Sequence, residues 1–160
     1  MIELLQHTAG LPEVRLAVGE SVVREGEQGP GLWILVSGSL KVFKSGVEIN
    51  SIARPGAAVG EISLLLDAPY SATVQASEPC VLRYAADGRA FLASNPRITE
   101  IIAVELAERL HYVTSYLADL KHQYRDSPGL AMVGDVLDQL AHRKRPVAQA
   151  GSAREPNPDY

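Results

Sequence analysis

The chain has 160 residues, 46% of them hydrophobic, a single cysteine at Cys80 and a formal net charge of -4. That is enough for one domain with its own core, and it excludes an internal disulfide framework or a cysteine-built metal or iron–sulfur site. The acidic balance offers nucleic acid no broad attraction, no apolar run approaches the about 20 residues that cross a bilayer, and the start of the chain lacks the basic-then-apolar order of a signal peptide. A soluble cytoplasmic protein without a membrane partner is expected.

From about Leu16 to Tyr84, glycines and prolines cut the chain into short runs rich in Val, Ile and Leu, which predicts many strands joined by tight turns. The expected strands are Ser21–Arg24, Leu32–Ser37, Leu40–Lys44, Val47–Ile52, Ser71–Ala76 and Val81–Tyr84. Ser37-Gly38 and Ser45-Gly46 are the hairpin-type turns. No helical crossover fits between these runs, so a compact β-roll is favoured over a parallel sheet.

After Tyr84 the pattern becomes helical. A short helix is predicted over Asp87–Ser94, then a long one that opens with Asn95 as N-cap and Pro96 at its first position and runs to about Arg125. Leu106, Leu110, Val113, Leu117, Leu120 and Tyr124 recur along it at spacings of 4, 3, 4, 3 and 4. This heptad seam needs a partner, either the β-roll of its own chain or a second copy, and the helix is too long for a small roll to cover from end to end. A homodimer is therefore expected. Ser127 and Pro128 start a further helix to about Arg143 with Leu130, Val133, Val136, Leu137 and Leu140 on one face. The organisation predicted is a ligand-binding domain with its dimer helix over 1–125, an accessory helix over 126–146 and a disordered tail over 147–160.

The run from Gly56 to Val74 carries the chemistry. A glycine turn leads into one helical turn inside a β context, with Gly60 allowing close approach of a ligand to backbone N–H groups and Glu61 suited to accept from a sugar hydroxyl. Gly60-Glu61-Ile62-Ser63-Leu64-Leu65 and Pro69-Tyr70-Ser71-Ala72 resemble the phosphate-binding cassette of cyclic nucleotide-binding domains, written Phe-Gly-Glu-(Ile/Leu)-Ala-Leu and Pro-Arg-(Ser/Ala/Thr)-Ala. Val23–Glu27 and Leu32–Val42 are similar to the family's strand–turn–strand signature, and the resemblance covers about residues 10 to 125. It implies a mainly β fold, a double-stranded β-roll followed by a long dimerisation helix, and a non-enzymatic sensor of cAMP.

The ligand-binding residues it implies are Gly60, Glu61, Ile62, Ser63, Tyr70, Ser71 and Ala72, with Gly60 and Glu61 at the ribose 2′-hydroxyl and Ser71 with the backbone around Ala72 at the cyclic phosphate. Val113-Thr114-Ser115 resembles the stretch with which members of the catabolite activator type contact adenine. Taken alone, Thr114 and Ser115 read as ordinary exposed helix positions flanking the seam, and it is their place on the long helix that points to adenine.

Two residues depart from the pattern. Val59 replaces an aromatic, and Tyr70 stands where the family has the arginine that pairs with the phosphate. Loss of a buried charge-assisted hydrogen bond of about 1.5–3 kcal/mol weakens binding about 10- to 150-fold unless another group, such as Arg54, Arg83 or Arg89, replaces it. The alternative is a degenerate fold that binds no nucleotide and serves as a dimeric scaffold for an unidentified protein partner.

Trp33 reads as core or roll-mouth packing and Cys80 as a small buried residue. His7, His111, His122 and His142 share no metal-ligand spacing, so neither metal nor haem is expected, and no catalytic constellation stands out. His142-Arg143-Lys144-Arg145 complements a helix C-terminus, and one helix after the long one is too little for a winged recognition module, so no sequence-specific nucleic-acid binding is expected.

Overall fold

The computed structural model describes residues 2–123 and 131–141. The chain divides into two compact units, Met1–Ala107 and Glu108–Tyr160. In the first, helix α1 (Ile2–His7) precedes strands β1 (Glu13–Leu16), β2 (Ser21–Val23), β3 (Leu32–Ser37), β4 (Leu40–Lys44), β5 (Val47–Ile52) and β6 (Ala58–Val59). Helix α2 (Glu61–Leu66), strands β7 (Thr73–Ala76) and β8 (Cys80–Ala85) and helix α3 (Gly88–Ser94) follow, and then helix α4 (Pro96–Gln123), which continues into the second unit. Helix α5 (Ala131–Ala141) belongs to the second unit.

The strands form two antiparallel four-stranded sheets in the orders β1-β8-β3-β6 and β2-β7-β4-β5. One core cluster takes Leu35, Val59 and Leu82 from the first sheet and Val23, Leu40, Val74 and Ala76 from the second, so the sheets close on a shared interior, the predicted β-roll. A second cluster lies on the other face of the first sheet, where Leu32, Ile34 and Ala58 meet Leu4 of α1, Leu64 of α2, Leu92 of α3 and Ile98 and Ile102 of α4. The uninterrupted apolar run of β3 follows from this: side chains alternate along a strand, and both faces of β3 are covered. By contrast β5 is almost wholly exposed, as an edge strand paired only to β4 is free to be.

The turn Ser45-Gly46 has positive φ at both residues, 50° and 79°, the geometry that matches strand twist in a two-residue hairpin. Asn95 stands at the start of α4, where its carbonyl accepts the Thr99 N–H at 3.1 Å, but its side chain does not cap that helix. It donates instead to Phe91 O at 2.7 Å, satisfying a carbonyl at the end of α3. Three elements were not anticipated: α1, β1 and β6. The first two lie before the run of punctuated strands, and β6 has only two residues, defined by its pairing Trp33↔Val59 and Ile34↔Ala58.

α1 is held by its buried Leu4 and by Glu3, whose carboxylate takes two hydrogen bonds from Arg97 at 2.6 and 2.9 Å. That hydrogen bonding holds the Glu3 carboxyl below its ordinary value. Tyr124, the expected start of the last helix at Ser127 and Pro128, the basic run from His142 and the expected tail 147–160 lie outside the described residues.

Candidate functional site

The candidate site is built around α2, a single short helix inserted between β6 and β7. Gly60 precedes it at φ 92° and ψ -5°, a conformation that costs an L side chain about 1–2 kcal/mol. A Cβ on Gly60 would also stand 3.0 Å from the Gly31 carbonyl. The next residue, Glu61, is buried at 4% exposure, and the Leu64 N–H closes the first turn on the Gly60 carbonyl at 3.1 Å.

The far end of α2 turns sharply. Asp67 is left-handed at φ 54°, and its N–H and that of Ala68 both reach the Ser63 carbonyl. The buried Ser63 hydroxyl donates to Pro69 O at 3.3 Å, so this side chain stabilises the turn that returns the chain to β7. Ile62, Leu65 and Leu66 are exposed on the outer side of α2.

Tyr70 is the departure that shapes the site. Its backbone is pinned on both sides by Glu27 O, 2.8 Å from the Tyr70 N–H, and by the Gly26 N–H, 2.9 Å from Tyr70 O. The ring is buried in the first core cluster, with its edge toward Gly60 and its hydroxyl against Gly29, where a Cβ would stand only 2.6 Å from the oxygen. Burial, with smaller contributions from Tyr84 and Glu27, pushes the phenol further above its ordinary value. A neutral ring therefore stands beside the glycine turn at the position where the family pattern has a cation. Nearby, Tyr84 stacks on Trp33 with ring centroids 4.0 Å apart, and Trp33 packs against the same cluster.

The three arginines considered as replacements each have a partner, that of Arg89 lying within the cassette's own helix α2. Arg54 pairs with Glu105 of α4 at 2.6 Å, Arg83 donates to Leu5 O at 2.6 Å, and Arg89 donates to Leu64 O at 2.7 Å. A cation that sequence reasoning missed does reach the cassette: Lys44 donates to the Ser71 carbonyl at 2.5 Å. Its signal was available in the alternation Leu40, Val42, Lys44 along β4 and required only the pairing of β4 with β7. Ser71 is exposed and Ala72 partly buried.

On α4, Leu106 packs against the second cluster of its own chain, while Leu110 and Val113 are 53% and 48% exposed. Leu117 and Leu120 are partly buried. Thr114 is partly buried and Ser115 exposed, both in the second unit. A cavity of about 420 Å³ lies beside α2, lined by Gln28, Gly29, Asp67, Asp87 and Arg89 among others; of the expected ligand-binding residues Ser63 lines it, and Gly60, Glu61, Tyr70, Ser71 and Ala72 do not. Cys80 is buried, which raises its thiol pKa. Among the described residues no group of three or more His, Cys, Asp or Glu could hold a metal ion, and no helix is long and apolar enough to cross a membrane.

With this geometry in hand, the comparisons with known proteins agree on the class. Residues 13–93 match the cyclic nucleotide-binding domain model, and the chain belongs to that family. It is 40% identical over 72 residues to a cAMP-dependent protein kinase regulatory subunit of Yarrowia lipolytica, covering 45% of this chain and 19% of that protein. To a CRP-like cAMP-activated global transcriptional regulator of Mycobacterium tuberculosis it is 32% identical over 142 residues, covering 85% of this chain and 62% of the regulator. The catabolite activator protein of Thermus thermophilus superposes with a TM-score of 0.62 at 25% identity, over 76% of this chain and 60% of that one. The chain spans less than two thirds of each of these three.

Proposed function

We propose that this domain is a non-enzymatic regulatory module that takes a cyclic nucleotide, cAMP by preference, inside the roll. The observation that carries the reading is the left-handed Gly60, packed so that a Cβ would stand 3.0 Å from the Gly31 carbonyl, leading directly into a buried carboxylate at Glu61. In this reading Gly60 and Glu61 meet the ribose, and Ser71 with the Ala72 backbone meets the phosphate. Ile62 and Ser63 support the turn, Tyr70 lies alongside the ligand, and Thr114 and Ser115 contribute at the base. The names of the kinase regulatory subunit and the mycobacterial regulator support cAMP as the nucleotide. Ligand occupancy acts by favouring one arrangement of cassette and helix over another.

Amide NMR during a cAMP titration of the labelled chain tests the placement. The resonances of Gly60, Glu61, Ser71 and Ala72 are expected to move first and saturate together. Shifts confined to other parts of the fold contradict it.

One observation favours a second reading, in which the fold is a scaffold without nucleotide: the Tyr70 ring is built into the core cluster beside Gly60. Both readings include a homodimer through Leu110, Val113, Leu117, Leu120 and Tyr124, supported by the exposure of Leu110 and Val113, whereas Leu106 of the expected seam packs against its own chain. Apolar surface of this kind is stabilised by a partner. Sedimentation equilibrium is expected to give twice the 17.2 kDa chain mass, and Leu110→Lys to return it to one. A wild-type chain that sediments at the single mass contradicts the dimer.

A further inference from the structure

We infer that Lys44 supplies the cation that the cassette lacks at position 70, an inference that rests on the cyclic nucleotide reading above. Along β4, Leu40 is buried in the first cluster and Val42 packs against it, so these two side chains face the roll interior. Lys44 is the next residue of the same parity. Across the sheet, Leu40 pairs with Ala76 and Val42 with Val74, both buried. The ladder ends at Phe43↔Thr73, which leaves Lys44 and Ala72 as the next residues on each side, at the peptide where the phosphate is placed.

The contacts agree with the register. The Lys44 ammonium donates to Ser71 O at 2.5 Å and pairs with Glu25 Oε1 at 2.9 Å. The Glu25 carboxylate is itself fixed, its second oxygen accepting the Ser45 N–H at 2.8 Å, while the Glu25 N–H donates to Thr73 Oγ1 at 3.0 Å. An ammonium has three protons, and these two contacts use two of them. The third serves an anion at the Ser71–Ala72 peptide without breaking either contact. Arg54, Arg83 and Arg89 are anchored to Glu105, Leu5 O and Leu64 O at 2.6 to 2.7 Å, and none of them hydrogen-bonds the Ser71–Ala72 peptide. Lys44, with its side chain half-exposed at 51%, gives way with little repacking. The Glu25 carboxylate stays on the ammonium, and its negative charge partly offsets the attraction of that ammonium for a phosphate.

The test is calorimetric titration of the full chain with cAMP and with its neutral methyl phosphotriester, on wild type, Lys44→Met, Lys44→Arg and Glu25→Gln. Lys44→Met is expected to weaken cAMP about tenfold or more, Lys44→Arg to stay within about threefold of wild type, and Glu25→Gln to tighten binding. The triester is expected to bind wild type more weakly than cAMP and to be indifferent to Lys44→Met. Wild type binding cAMP while Lys44→Met binds it within about twofold overturns the role of Lys44 and leaves the sensor reading intact. Equal affinity of wild type for cAMP and the triester overturns that role as well, without relying on any variant. A wild type that binds neither ligand, beside a Tyr70→Arg chain that binds cAMP, removes both the role of Lys44 and the sensor reading.

Discussion

Tyr70→Arg is expected to tighten cAMP binding by about 10- to 150-fold, the equivalent of one charge-assisted hydrogen bond of about 1.5–3 kcal/mol to a shielded phosphate. The backbone needed to present the new side chain is already in place, since Tyr70 N–H and O are both bonded to the Glu27–Gly26 segment. The ring now points into the core cluster toward Gly60 and Gly29, so a guanidinium from the same Cα starts on the side of the cassette where the anion is placed. The substitution also removes apolar surface from that cluster, so a lower melting temperature should accompany the gain. Competition titration against a fluorescent cAMP analogue reads the affinity. No measurable cAMP binding by Tyr70→Arg, in a folded chain, means the space beside Gly60 has closed and supports the scaffold.

Arg54→Ala is expected to destabilise the chain by about 2 kcal/mol. Glu105 of α4 is buried, its Oε1 accepts from Arg54 Nη2 at 2.6 Å, and its Oε2 has no hydrogen-bond partner. Removing the guanidinium therefore leaves a buried carboxylate with neither oxygen compensated. The value lies below the about 3–5 kcal/mol of a fully buried pair because the Arg54 side chain is 45% exposed and its charge is partly screened. With a urea slope of about 2 kcal/mol per molar, the midpoint should fall by about 1 M.

Glu105→Leu in the Arg54→Ala background should recover much of the loss, since an apolar side chain has no desolvation to compensate. A midpoint unchanged in Arg54→Ala contradicts this account of the pair. Arg54 sits in the loop just before β6 and Gly60, so the pair ties the cassette's approach segment to α4.

Most of the roll was legible because its strands carry local signals. The turn at Ser45-Gly46 and the alternation in Ser71–Ala76 mark β4, β5 and β7, and α4 was predicted from Pro96 to within two residues of its last described turn. What stayed hidden depends on contacts distant in sequence. β6 exists only because Ala58 and Val59 lie against β3, and α1 has one turn whose burial of Leu4 no local pattern announces.

The site divides the same way. Gly60 and Glu61 were readable from spacing and chemistry. The arrival of Lys44 at Ser71 follows from the pairing of β4 with β7, while the direction of the Tyr70 ring and the engagement of Arg54, Arg83 and Arg89 depend on contacts between elements distant in sequence. Leu106 shows the same limit from the other side: it fits the heptad seam by spacing, yet packs with Ile98 and Ile102 in its own chain's second cluster.

The central claim is that the cassette at Gly60 and Glu61 accepts a cyclic nucleotide although a tyrosine stands at position 70. Isothermal titration calorimetry of the unaltered chain with cAMP tests it most directly. The account predicts a saturable heat with one site per chain and a dissociation constant weaker than about micromolar but below about millimolar. A flat titration at millimolar cAMP, from protein shown to be folded, contradicts it and leaves the dimeric scaffold.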